Sequence, residues 1–189
     1  MTKNSAIVVV DMLYDFIDGS LACLNAEQAV DNAAKYIAKC KLPLDQRPPV
    51  LFIRDCHPAD HCSFAENGGK WPVHCVNGTR GGEIHKKLQP YVDEGLEFFK
   101  GTDPAKEQYS GVEGLNEAGQ TLCEVLEILD CNDVYVCGIA TEFCVKNTVL
   151  DLLNAGFRVT VLQDCLAYVS AEGHPAALKE MEEKGARIA

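Results

Sequence analysis

The sequence contains no apolar run approaching the roughly 20 residues that cross a bilayer. Its opening, MTKNSAIVVVDM, has too short an apolar stretch and no small-residue cleavage site for a signal peptide. Both absences lead to the expectation of a cytoplasmic protein that does not enter membranes. Positive charge is also scarce, with 17 Lys and Arg against 28 Asp and Glu and a net charge of −11. Nucleic acid and anionic membrane surfaces need a basic face, so neither is an expected partner. Internal repeats, low-complexity tracts and linker-like stretches are all missing, and residues 1–189 read as one domain. Cysteine is abundant, at ten residues, yet no two are spaced Cys-x-x-Cys. That removes zinc ribbons and thioredoxin-type motifs. Without an export signal the thiols are expected to be reduced, and most of them to be small core residues.

What is there is an alternation of buried strands and helices. SAIVVVD (5–11), PPVLFIRD (48–55), GLEFFK (95–100), DVYVCGI (133–139) and FRVTVLQD (157–164) read as strands, with ARIA (186–189) as a short edge strand. Helices are predicted over 25–40, within 114–130, over 141–156 and within 171–185. Asn25 and Thr141 are the expected caps, and Gly156 the expected stop. The implied fold class is α/β: a single-domain three-layer α/β/α sandwich around a mostly parallel, Rossmann-like sheet of five or six strands. Residues 56–94 form a 39-residue irregular stretch, too long for an ordinary connection, and loops of that length are often functional.

Ligands of open α/β sheets bind beyond the carboxyl ends of the strands. The five long strands end at Asp11, Asp55 (with His57 beyond it), Lys100, the turn before Cys144, and Asp164. An Asp at a strand end is ordinarily a turn former. The conjunction of Asp, Lys and Cys on one edge carries more weight. Two cysteines lie seven residues apart in VYVCGIATEFCV. Cys137 sits within the fourth strand and reads as an inert core thiol. Cys144 falls in the first helical turn, where free amides and the helix dipole favour a thiolate and can hold an oxyanion. Asp11 is the candidate base, and Lys100 the cation expected to make the thiolate present near neutral pH.

The long loop reads DCHPADHCSFAENGGKWPVHC (55–75), with three of the five histidines inside eighteen residues. Asp55, His57 and His74 make a plausible three-ligand metal set with open positions, and His61 is a further nitrogen nearby. Histidines 85 and 174 have no such company and are expected on the surface.

The combination of Asp11, Lys100 and GIATEFCV around Cys144 resembles the isochorismatase-like cysteine hydrolases. The loop DCHPADHCSF…WPVHCVNGT resembles the metal loop of nicotinamidase/pyrazinamidase enzymes, here an insertion at about 55–94. The resemblance runs from VVVDMLYDF to VLQDCLAYVSAEGH, nearly the whole chain. It implies an Asp11–Lys100–Cys144 triad with Asp11 as acid and base. It also implies an oxyanion hole from the amides of Ala140 and Cys144 after a cis bond joining Ile139 and Ala140. Asp55, His57 and His74 would ligate one divalent metal, which is zinc, iron or manganese in different members. His61 stands at a position that is a ligand in some members and not in others. Phe16, Trp71 and Tyr109 would wall the pocket, and Phe143 fills a position that is aromatic or His in the family. The implied substrate is nicotinamide, with pyrazinamide equally able to offer a ring nitrogen and a carboxamide. A homo-oligomer stays open. Two rival readings are a related amidohydrolase of carbamoyl or ureido compounds, which needs no His-rich loop, and a metal-binding or redox-sensing module, which leaves Asp11 and Lys100 without a use.

Overall fold

The computed structural model describes residues 4–39 and 47–189. Six strands form one sheet: β1 (Ser5–Val10), β2 (Val50–Asp55), β3 (Glu97–Lys100), β4 (Asp133–Gly138), β5 (Arg158–Leu166) and β6 (Arg187–Ile188). Their order is β3-β2-β1-β4-β5-β6, and every pairing is parallel. The sheet is thus wholly parallel among the described residues, rather than mostly so. The helices are α1 (Tyr14–Ile17), α2 (Ala26–Ala38), α3 (Leu122–Ile128), α4 (Lys146–Asn154) and α5 (Gly173–Glu183).

Why β1 is a continuous apolar run follows from the layers. Ala6, Val8 and Val10 pack with Leu122, Leu126, Val149 and Met181 of α3, α4 and α5, while Ile7 and Val9 face Ala29, Val30 and Ala33 of α2. A strand covered on both faces has no solvent side on which to place polar residues. Each such Val or Ile contributes about 1.5–3 kcal/mol by burial. Helix α2 shows the matching pattern, burying Ala26, Ala29, Val30, Ala33 and Ile37 along one stripe.

Several boundary expectations need correction. Asn25 stands at the N-cap position of α2, but its side chain makes no cap hydrogen bond and donates to Leu166 O instead. Cys40, the last residue of the expected helix, lies outside the described residues. Thr141 is not a cap: Ala140 is, and the Thr141 hydroxyl donates to Ala167 O at 2.9 Å. Asp164 is no strand end, because β5 continues to Leu166 and leaves Asp164 exposed, away from the other strand ends. Gly156 does end α4, at φ 93°.

The strand order reverses between β1 and β4, so their carboxyl ends part there and open a crevice. Asp11 leaves β1 into it at φ 48°, a left-handed conformation that Asp tolerates better than most residues. The chain leaving β4 passes a cis Ile139–Ala140 bond, the bond the resemblance pointed to, and enters a π-helical turn, Thr141–Val145, that leads into α4. No helix among the described residues is long and apolar enough to cross a membrane.

Candidate active site

The ends of β1, β2 and β3 and the turn after β4 bring four ionisable side chains together. Lys100 is fully buried. Its Nζ lies 2.9 Å from Asp11 Oδ2, pairs with Asp55 Oδ1, and sits 3.5 Å from Cys144 Sγ. The Asp55 amide donates to Asp11 Oδ1 at 2.8 Å. Asp11 Oδ2 is charge-paired with Lys100, and the Asp11 carboxylate lies within hydrogen-bonding reach of the Cys144 thiol, as it must to receive the thiol proton. The Cys144 turn is itself fixed. Thr148 Oγ1 donates to Cys144 O at 2.7 Å and accepts from the Gly111 amide at 2.8 Å. Cys137, in contrast, is buried among apolar neighbours of the opposite layer.

Burial dominates the electrostatics. It lifts the Asp11 carboxyl to about 6; the Lys100 ammonium pulls the other way and the Asp55 charge adds to the rise. Burial works in the same direction on Asp55, but Lys100 and His57 outweigh it and hold that carboxyl well below its usual range. The Cys144 thiol is pushed well above its ordinary value by burial and by the two carboxylates, with only Lys100 opposing. This corrects the expectation of a resting thiolate near neutral pH. The resting group is the thiol, and ionised Asp11 must remove its proton at the moment of attack.

Asp55, His57 and His74 each bring one ligand atom within 4.8 Å of the others, and all three are buried. His57 Nδ1 lies 3.0 Å from Gly101 O, and His74 Nδ1 lies 2.7 Å from Pro72 O. A carbonyl only accepts, so each Nδ1 carries the proton and each Nε2 keeps a lone pair for a metal, the usual support for a ligating histidine. His57 Nε2 is 3.6 Å from Asp55 Oδ2. Burial disfavours a charged His57, but this carboxylate outweighs it and raises the pKa, so a metal cation between the two would replace a proton. The buried cluster also holds two carboxylates against one lysine, and a divalent cation relieves that excess. The residues therefore fit a metal.

His61 is not brought into this set. Its Nε2 lies 3.1 Å from Lys106 O and its Nδ1 accepts from the Ser63 amide at 3.2 Å, which engages both nitrogens elsewhere. Its ring packs at a tilt against His57, with centroids 4.1 Å apart. The two histidines expected at the surface are half-buried: His85 packs on Tyr14, and His174 stacks on Tyr168 while its Nδ1 contacts Thr141 Oγ1 at 3.0 Å.

A pocket opens beside these groups, lined by Phe16, Trp71, Tyr109, Phe143, Asp55, His74, Ala140 and Cys144. All three expected wall residues are there. Trp71 meets Phe143 edge-on at 5.0 Å and donates Nε1–H to Tyr109 Oη at 3.2 Å. Phe16 packs on His74 at 5.5 Å. Leu21, Cys23, Glu107, Gln108 and Val169 complete the lining, and sequence reasoning missed all five. It also missed two supporting residues. Asp15 Oδ2 accepts from the Cys75 amide at 2.7 Å and so pins the chain just after His74. Gly101 is required because a Cβ there would fall 2.3 Å from His57 Cε1, at φ +66°. A signal for Asp15 was available, since it is a second acidic residue four positions beyond Asp11 in DMLYDF.

Comparison with known proteins agrees with this geometry. The isochorismatase domain family matches residues 5–189. The nicotinamidase/pyrazinamidase of Mycobacterium tuberculosis is 35% identical over 180 residues, covering 93% of each chain. The pyrazinamidase of Pyrococcus horikoshii, solved in complex with zinc, superposes with a TM-score of 0.87 at 37% identity over 98% of both chains. PnC1 of L. infantum, solved in complex with nicotinate, gives a TM-score of 0.86 at 28% identity over 100% of this chain and 94% of its own.

Proposed function

The chain belongs to the isochorismatase family, and from that premise we propose that it is a nicotinamidase, a metal-dependent cysteine amidohydrolase that converts nicotinamide to nicotinic acid and ammonia. The observation that carries the reading is one buried ammonium, Lys100, touching both Asp11 and Cys144 beside the Asp55–His57–His74 cluster, at the foot of an aromatic pocket. A flat neutral aromatic amide suits that pocket. Phe16, Trp71 and Tyr109 take the ring. Asp55, His57 and His74 would hold one divalent metal (zinc, iron or manganese), which supplies a Lewis acid for the ring nitrogen and so orients the substrate.

Asp11 takes the Cys144 proton, and the sulfur attacks the carboxamide carbon. The Ala140 and Cys144 amides stabilise the resulting oxyanion. Asp11 returns its proton to the departing nitrogen, ammonia leaves, and a thioester remains on Cys144. Asp11, again ionised, then takes a proton from water; the hydroxide attacks the thioester carbon, and the sulfur leaves and is reprotonated. Lys100 holds the developing negative charge on sulfur throughout. An amidase of carbamoyl or ureido compounds would share the triad, but it gives the buried histidines nothing to do. Pyrazinamide fits the same description as nicotinamide, and the cytoplasm is the compartment this reading assigns.

The test is ammonia release from nicotinamide by purified protein, before and after chelation and after metal is restored. We expect turnover that chelation abolishes and metal returns. Turnover of ureido compounds but not of nicotinamide would overturn the proposal.

A further inference from the structure

Lys70 directly precedes Trp71 and is exposed at the pocket's rim. Its Nζ lies 4.6 Å from the Trp71 ring centroid, 4.8 Å from that of Phe143 and 5.9 Å from that of Tyr109. All three rings line the pocket, whose lining residues include no lysine or arginine. An ammonium over aromatic faces is held there by their quadrupoles. Lys70 therefore places a localised positive charge against the rings that form the wall. Glu107 also lines the pocket, and its carboxylate feels both Lys70 and Asp55. Two opposite charges thus stand at the edge of a slot whose aromatic walls lead down to Asp55, His74 and Cys144.

The proposed substrate carries no net charge, whereas its product is a carboxylate. A fixed charge at the rim acts weakly on the first and strongly on the second. We propose that Lys70 and Glu107 set, with opposite signs, the affinity of the pocket for the anionic acid relative to the neutral amide, and thereby the strength of product inhibition. This rests on the nicotinamidase reading above. A unit charge about 6 Å from another in a largely aqueous setting changes binding by about threefold, which is an upper bound here because the carboxylate is released at Cys144 and the two charges stand at the rim.

The test measures calorimetric Kd values for nicotinamide and nicotinate with metal-loaded Cys144→Ala protein, in which substrate is not consumed, alone and with Lys70→Met or Glu107→Gln added. The ratio of the nicotinate Kd to the nicotinamide Kd should rise with Lys70→Met and fall with Glu107→Gln, each by up to about threefold. Both changes should shrink at high salt. A merely structural role would move both ligands together and leave the ratio alone. Ratios that stay fixed, or that move the same way in both variants, overturn the rim proposal only. Failure of both ligands to bind overturns the substrate reading as well.

Discussion

Replacing Lys100 by Met keeps most of the stem and removes a charge that touches three reacting or ligating groups at once. At 3.5 Å from the sulfur and an effective dielectric of about 20, the ammonium favours the thiolate by about 5 kcal/mol, or roughly 3.5 pK units. Losing it lowers the thiolate fraction at a given pH about three-thousandfold. The remaining thiolate is more basic and more nucleophilic, and a Brønsted slope of about 0.4–0.5 returns nearly half of that loss. The net expectation is iodoacetamide alkylation of Cys144 slowed by about 60–130-fold across neutral pH, with the rate–pH curve displaced upward. The variant should also be less stable by about 3–5 kcal/mol, because two buried carboxylates lose their counter-charge. Thermal unfolding of the metal-loaded protein reads that term separately. Alkylation curves for wild type and Lys100→Met that superimpose would refute the reasoning, and the triad would reduce to a Cys–Asp pair.

Three other perturbations have definite expected outcomes. His57→Ala should lose the metal, since two protein ligands are too few, and should raise KM strongly; His61→Ala should keep it, and elemental analysis distinguishes the two. The acid limb of kcat/KM should fall as pH drops through about 6, because burial raises the Asp11 pKa to about that value and only the ionised carboxylate can accept the thiol proton. A pH profile that stays flat down to 4 would remove Asp11 from that role. Gly101→Ala should weaken metal binding and cost about 1–3 kcal/mol of stability, because its Cβ meets the His57 ring in a backbone conformation that alanine resists; metal titration and thermal unfolding check it.

Much of this site was legible before any coordinates, for a physical reason. Residues at the carboxyl ends of parallel strands share an edge whatever the loops do, so Asp11, Asp55 and Lys100 meet once the strands are found. The same holds for Cys144, one turn beyond β4. The distinction between Cys137 and Cys144 needed only the apolar context of one and the turn position of the other. What sequence could not supply depends on the paths of loops. His61 lies as near His57 in sequence as a ligand would, but Ser63 and Lys106 O take its two nitrogens. Thr141 looks like a cap, yet the cis bond and π turn before Cys144 send its hydroxyl to Ala167 O. The resting state of Cys144 was misjudged because local features favour a thiolate, while the burial and the carboxylates that oppose it come from segments far away in the chain.

The central claim is that Cys144 is the nucleophile of a nicotinamide-hydrolysing site. The most direct measurement is ammonia release from nicotinamide by metal-loaded wild type, Cys144→Ala and Cys137→Ala, with circular dichroism and metal content recorded on the same samples. The account predicts turnover by wild type and by Cys137→Ala, and none by a Cys144→Ala protein that stays folded and keeps its metal. Wild-type rates from Cys144→Ala, or loss of turnover only in a folded Cys137→Ala protein, would contradict it.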